Sequence, residues 1–92
     1  MCVMVETWVK VKNESGLHVR PAACLAKILR SYQAEVTLTY KGESVDARSI
    51  MSLMLLTIPK NANIHLVAKG LDAQQVVNQL VWAFETRFGE EG

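Results

Sequence analysis

Ser15-Gly16-Leu17-His18-Val19-Arg20-Pro21-Ala22-Ala23 is the stretch in which a polar loop turns into a helix. Pro21 heads an apolar, alanine-rich run that continues to Leu29. Proline suits a first helical turn because the N–H it lacks would find no acceptor there. Ala22, Leu25, Ala26 and Leu29 share one helical face, and the helix is predicted to end near Ser31. His18 therefore falls just before the helix or at its cap. The unpaired N–H groups of the first turn carry the positive end of the helix dipole and form a ready anion site. Arg20 adds a fixed charge able to make paired bonds to phosphate oxygens, and Gly16 permits a close backbone approach. A lone histidine at a helix start is most often a polar cap. With Gly16, Arg20 and Pro21 at these offsets it reads instead as a nucleophile that accepts a phosphoryl group.

Outward from this stretch the chain alternates strands and helices. Val5, Thr7, Val9 and Val11 alternate with Glu6, Trp8, Lys10 and Lys12, the period of a half-buried strand, and Asn13-Glu14-Ser15-Gly16 breaks it as a turn. After the helix, Glu35 to Tyr40 alternates again, Lys41-Gly42 turns the chain, and Glu43 to Asp46 returns as a hairpin strand. The apolar run from Ser49 to Leu56 fits either a short helix or a buried strand by periodicity. Ser49 at a cap position and the helix formers behind it favour the helix, with Leu53, Leu55 and Leu56 read as core. Pro59-Lys60-Asn61-Ala62 precedes a strand from Asn63 to Ala68, in which His65 lies opposite Ile64 and Leu66 and reads as solvated. Asp72 and Gln75 stand at the spacing of a capping box before a last helix, whose apolar face is Ala73, Val76, Val77, Leu80, Val81, Phe84 and Phe88. Gly89 to Gly92 reads as a loose tail. The order is β-α-β-β-α-β-α, and one-sided strand alternation asks for helices on a single face.

Composition narrows the function classes. Ninety-two residues, half of them hydrophobic, make one small domain with a real core. A net charge of +1 offers no basic field for nucleic acid. Cys2 and Cys24 have no metal spacing and suggest no disulfide framework, and Cys24 reads as a small buried residue. The first residues lack the positive segment of a signal peptide. The longest apolar stretch, Ile50 to Ile58, is too short to span a bilayer. A soluble, cytoplasmic protein is expected.

Gly16-Leu17-His18-Val19-Arg20-Pro21-Ala22 resembles the active-site motif of the HPr family, the histidine phosphocarriers of the phosphoenolpyruvate-dependent sugar phosphotransferase system. Ser49-Ile50-Met51-Ser52-Leu53-Met54 resembles that family's regulatory-serine segment, and Lys69-Gly70-Leu71-Asp72-Ala73 the turn into its last helix. The likeness runs from Val5 to Glu91. It implies a two-layer α+β sandwich spanning residues 1–92 as a single HPr domain, with a four-stranded antiparallel sheet in the order 1-4-2-3 covered on one face by three helices.

The resemblance also implies roles. His18 would take a phosphoryl group on Nδ1 from phosphoenolpyruvate through enzyme I and pass it to an enzyme IIA domain, while Arg20 steadies the phosphate. Ser49 matches a serine that an HPr kinase/phosphorylase modifies in some bacteria, although a serine N-cap explains it equally. Ile50, Met51 and Met54, with Ser15 and Val19 beside them, match the docking patch; methionine suits a surface that meets several partners. Val19 and Asn61 depart from the family's usual alanine and glycine, and Asp72 stands where a capping box usually has serine or threonine. The expectation is a monomeric carrier without cofactor or metal, not a turnover enzyme, with no nucleic-acid partner and no membrane insertion. Two alternatives stand beside it: an NPr-type carrier of the nitrogen-related branch, and a regulatory binding module controlled by phosphorylation of Ser49.

Overall fold

Alternation along the first strand sends Val5, Thr7 and Val9 to one side, and this is the side the helices cover. The computed structural model describes residues 3–90. Cys2 and the last two positions of the expected tail lie outside the described residues. Strand β1 (Met4–Lys10) is followed by α1 (Val19–Leu29), β2 (Glu35–Tyr40), β3 (Glu43–Asp46), α2 (Ile50–Leu55), β4 (Asn63–Lys69) and α3 (Ala73–Glu85), and a 3-10 turn (Arg87–Gly89) closes the order. The strands form one antiparallel sheet in the order β1-β4-β2-β3.

Register explains the core. Val9 pairs with Ile64, Leu66 with Leu38, and Ala68 with Val36, so the inward residues of three strands meet in one layer. Against it α1 lays Pro21, Ala22, Leu25, Ala26 and Leu29, and α3 lays Ala73, Val76, Val77, Leu80, Ala83 and Phe84. Each fully buried leucine or phenylalanine contributes roughly 1.5–3 kcal/mol relative to exposure. The opposite sheet face carries Glu6, Trp8, Thr37 and Lys69 and is open to solvent. Among the described residues no helix is long and apolar enough to cross a membrane.

The turns follow from backbone chemistry. Lys41 and Gly42 both take positive φ, 50° and 81°, the two-residue turn whose twist suits a hairpin. Asn61, where glycine was the family expectation, adopts φ 71°; asparagine enters this region more readily than most residues. Gly16 is indispensable: at φ 71°, a Cβ there would lie 2.2 Å from the Ile58 carbonyl oxygen.

Several sequence expectations are corrected. Pro21 is the third residue of α1, which begins at Val19 and ends at Leu29, two residues before Ser31. Leu55 is 78% exposed, because α2 is only six residues long and turns Leu53 inward while presenting Leu55 to solvent. Leu56 is half-buried, as is Cys24. The Asp72 side chain caps nothing on its own helix; both carboxylate oxygens accept from the N–H groups of Gln33 and Ala34 at 2.8 Å, tying α3 to the entry of β2. His65 is not merely solvated: its ring stacks against Trp8 with centroids 4.8 Å apart, and Nε2 lies 3.0 Å from Glu6 Oε1.

Candidate functional site

Three segments distant in sequence converge at the head of α1. The loop carrying His18 is fixed by the bond from Leu17 N–H to the Ile58 carbonyl (2.9 Å) and by the tight seat of Gly16 on the same carbonyl. His18 occupies the N-cap with an extended backbone, and its own carbonyl accepts from Ala22 N–H at 3.0 Å. Its side chain makes no capping bond, so the ring is free for other work. Pro21, third in the helix, has no N–H, which leaves those of Val19 and Arg20 at the start of the first turn. Together they give the helix end a positive potential.

The His18 side chain is one-third exposed and borders a cleft of about 280 Å³ lined by Ser15, Leu17, Met54, Thr57, Ile58 and Pro59. Thr57 takes a strained φ of 46° on the cleft wall. The Arg20 side chain is 80% exposed. Val19, Ile50, Met51 and Met54 are all exposed, and of these Met54 lines the cleft beside His18. Ser15 is exposed at its edge.

Ser49 stands at the N-cap of α2. Its Oγ accepts from Ser52 N–H at 3.2 Å and donates to Ser52 Oγ at 2.8 Å, so the half-buried hydroxyl is already engaged.

Two residues that sequence reasoning missed complete the site. Glu90, read as part of a loose tail, places Oε1 3.1 Å from His18 Nε2 and Oε2 3.9 Å from Arg20 Nε. Asn13, read as a turn residue, is fully buried and donates from Nδ2 to Glu90 Oε1 at 2.5 Å and to the Arg87 carbonyl at 2.9 Å. The Asn13 hydrogen bond, aided by the His18 contact and by the charges of His18 and Arg20, holds the Glu90 carboxyl below the usual carboxylate range, against the opposing effect of burial. At the loop's far edge Glu14 pairs with Lys60 at 2.7 Å, which lowers its carboxyl likewise. No spacing in the sequence links positions 72 residues apart; the one available signal was Phe88, an apolar residue that ties the segment after α3 back to Phe84.

This geometry presents a partly exposed imidazole at a positive helix end, with one ring nitrogen engaged by a carboxylate that a guanidinium also approaches. It matches known proteins in both sequence and shape. The family model described as PTS HPr component phosphorylation site covers residues 5–86. The phosphocarrier protein HPr of Chlamydia trachomatis is 40% identical over 80 residues, 87% of this chain and 73% of that protein. The phosphoryl donor subunit DhaM of a phosphoenolpyruvate-dependent dihydroxyacetone kinase from Providencia stuartii is 40% identical over 83 residues, which cover 90% of this chain but 17% of that protein. In shape, a crystal structure of HPr-C-His from Thermoanaerobacter tengcongensis superposes with a TM-score of 0.90 at 32% identity, covering 96% of this chain and 99% of that one.

Proposed function

The chain belongs to the HPr family of phosphocarriers, and on that premise we propose that His18 is its phosphoryl acceptor, charged by enzyme I from phosphoenolpyruvate and discharged to an enzyme IIA domain. The observation that carries this reading is the His18 ring: it sits at the N-cap of α1, makes no capping bond, and is one-third exposed at the edge of a cleft. A phosphate on it would meet the helix end and Arg20, both of which favour a dianion.

The carrier function asks for a bond that survives until a partner arrives. Phosphoryl transfer is mainly a matter of positioning and electrostatic stabilisation. Arg20, largely solvated, can swing to the phosphate without leaving a buried charge behind. Val19, Ile50, Met51 and Met54 form the apolar surface on which enzyme I and the acceptor would dock in turn, with Ser15 at the rim. Ser49 would serve as a second, regulatory phosphorylation site for an HPr kinase/phosphorylase. The relative named as a phosphoryl donor subunit supports the donating half of the cycle. The protein would act in the cytoplasm as one HPr domain.

The test is incubation of the chain with enzyme I, phosphoenolpyruvate and magnesium, read by intact mass and peptide mapping. The expected result is one added phosphoryl group on His18, removed on addition of an enzyme IIA domain. No mass gain, or a gain at His65, would overturn the assignment. An NPr-type role would show as charging by the nitrogen-branch enzyme I in preference to the sugar-branch one.

A further inference from the structure

Glu90 reaches His18 through a strained stretch of backbone. Beyond α3 the chain passes through Arg87, Phe88 and Gly89 with φ of 56°, 53° and 78°, three left-handed residues in succession. For the two that are not glycine this costs roughly 1–2 kcal/mol each. The turn is held by Gly89 N–H on the Thr86 carbonyl (3.0 Å), Glu90 N–H on the Arg87 carbonyl (2.9 Å), and the edge-on packing of Phe88 against Phe84. Asn13, buried within the loop before His18, donates both to the Arg87 carbonyl and to the Glu90 carboxylate. These contacts deliver a carboxylate only 12% exposed to one nitrogen of the ring, Nε2.

An ionised carboxylate can only accept. The bond between Glu90 Oε1 and His18 Nε2 therefore places the proton on Nε2 and the free lone pair on Nδ1. We propose that Glu90 is a positioning residue of the carrier: it keeps the His18 proton on Nε2 throughout the cycle, so that Nδ1 gains and loses its phosphoryl group without any proton entering or leaving the ring. This rests on His18 being the acceptor.

The step balances. The Nδ1 lone pair attacks the phosphorus of a phosphorylated donor protein, the bond from phosphorus to the donor atom breaks, and its electron pair returns to the donor. The ring now carries the phosphoryl group on Nδ1, the proton on Nε2 and one positive charge, which faces the Glu90 carboxylate. In the onward step the N–P bond breaks, its pair returns to Nδ1, and the neutral ring with its proton on Nε2 is restored. Because the carboxylate lies on the nitrogen that does not react, it stabilises the charged ring without occupying the phosphate's place. Among the described residues the other charge acting on Glu90 is Arg20 on α1; Arg87 and Lys60 act on Glu14 at the loop edge. Lowering of the Glu90 carboxyl keeps it ionised across the working range.

The test compares full-length wild type, Glu90→Gln and Glu90→Asp after charging by enzyme I and phosphoenolpyruvate. Failure of the wild type to charge on His18 would remove the acceptor reading itself; charging isolates the role of Glu90. The decisive readout is hydrolysis of the phosphorylated protein against pH, followed by intact mass, because loss of phosphate is fastest when Nε2 is protonated. Removing an opposite charge this close should slow hydrolysis near neutrality by about tenfold in Glu90→Gln and move its acid limb to lower pH, while Glu90→Asp stays near wild type. An unshifted profile in Glu90→Gln overturns the proposal, as does an equal shift in both variants, which would assign the effect to the tail's geometry. Long-range ¹H–¹⁵N spectra of the uncharged wild type should show the Nε2–H tautomer; a proton on Nδ1 would equally overturn it.

Discussion

Asn13 and Arg87, 74 positions apart, are joined by a 2.9 Å hydrogen bond from the buried Asn13 amide to the Arg87 carbonyl. That bond fastens the end of the chain to the loop that carries His18, and the same amide nitrogen also holds Glu90. Asn13→Ala should remove both at once and leave the Arg87 carbonyl without its side-chain donor. A loss of about 1–3 kcal/mol is expected, measurable by urea denaturation, with faster amide exchange at Gly89 and Glu90. Unchanged exchange there would show that Phe88 alone holds the turn.

Gly16→Ala should be among the most damaging small substitutions in the protein. The added Cβ would collide with the Ile58 carbonyl at 2.2 Å while forcing alanine into φ 71°. Steric displacement and a left-handed alanine together should cost about 3 kcal/mol or more. A denaturation midpoint within error of wild type would mean the loop relaxes freely, and the fixed approach of His18 to α1 would have to be abandoned.

Arg48→Met tests a structural residue hidden among the charges. Its guanidinium donates to the carbonyls of Ala34, Leu29 and Tyr32 at 2.9–3.0 Å, closing the end of α1 over the start of β2. Methionine keeps the stem but removes the guanidinium's bonds to all three carbonyls, of which Leu29's keeps the Tyr32 N–H at 3.2 Å, for an expected loss of about 2–3 kcal/mol. Thermal melting checks the stability, and charging by enzyme I should proceed normally at temperatures where the variant is folded.

The Glu90 carboxyl gives a pH dependence of definite sign. Its folded value lies below the ordinary carboxylate range, held there first by the Asn13 hydrogen bond. Between the folded and unfolded values the unfolded chain binds more protons, so stability rises with pH across that window. The contribution is complete above the ordinary range and fades as pH falls through the folded value. The melting temperatures of wild type and Glu90→Gln should therefore differ at neutral pH and converge in acid; a constant gap at all pH values would contradict the linkage.

How much of this was legible in the sequence depends on the distance over which each feature is decided. Strand alternation, the Lys41-Gly42 turn and the Ser49 cap are set by neighbours and read directly. The His18 segment was legible because loop, cap and helix start are contiguous. Leu55 misled because hydrophobicity does not show how short α2 is or which side of it faces the core. Asp72 misled because its spacing to Gln75 fits a local cap, whereas its actual partners lie 38 and 39 positions away. Glu90 and Asn13 were invisible for the same reason. Their meeting depends on consecutive left-handed residues after α3, and two of these, Arg87 and Phe88, carry no sequence preference for that conformation.

Ser49 separates structural from regulatory roles. Its hydroxyl caps α2 by accepting from Ser52 N–H, and it donates to Ser52 Oγ. Ser49→Ala loses both contacts and should cost about 1 kcal/mol, yet it leaves the docking surface apolar, so charging of His18 should continue at near wild-type rate. Ser49→Asp keeps an acceptor for Ser52 N–H, since aspartate caps about as well as serine, and should melt close to wild type. It also sets a negative charge beside Ile50, Met51 and Met54, where an approaching partner expects an apolar contact. A full phosphate would bring roughly −1.5 to −2 charges to the same place. Charging of Ser49→Asp by enzyme I should therefore slow while its fold persists, and the two variants should diverge: one less stable but active, the other stable but slow. Thermal melts paired with initial rates of His18 labelling decide it. If Ser49→Asp labels as fast as wild type, or if its slowing follows its loss of stability, Ser49 is a cap and nothing more.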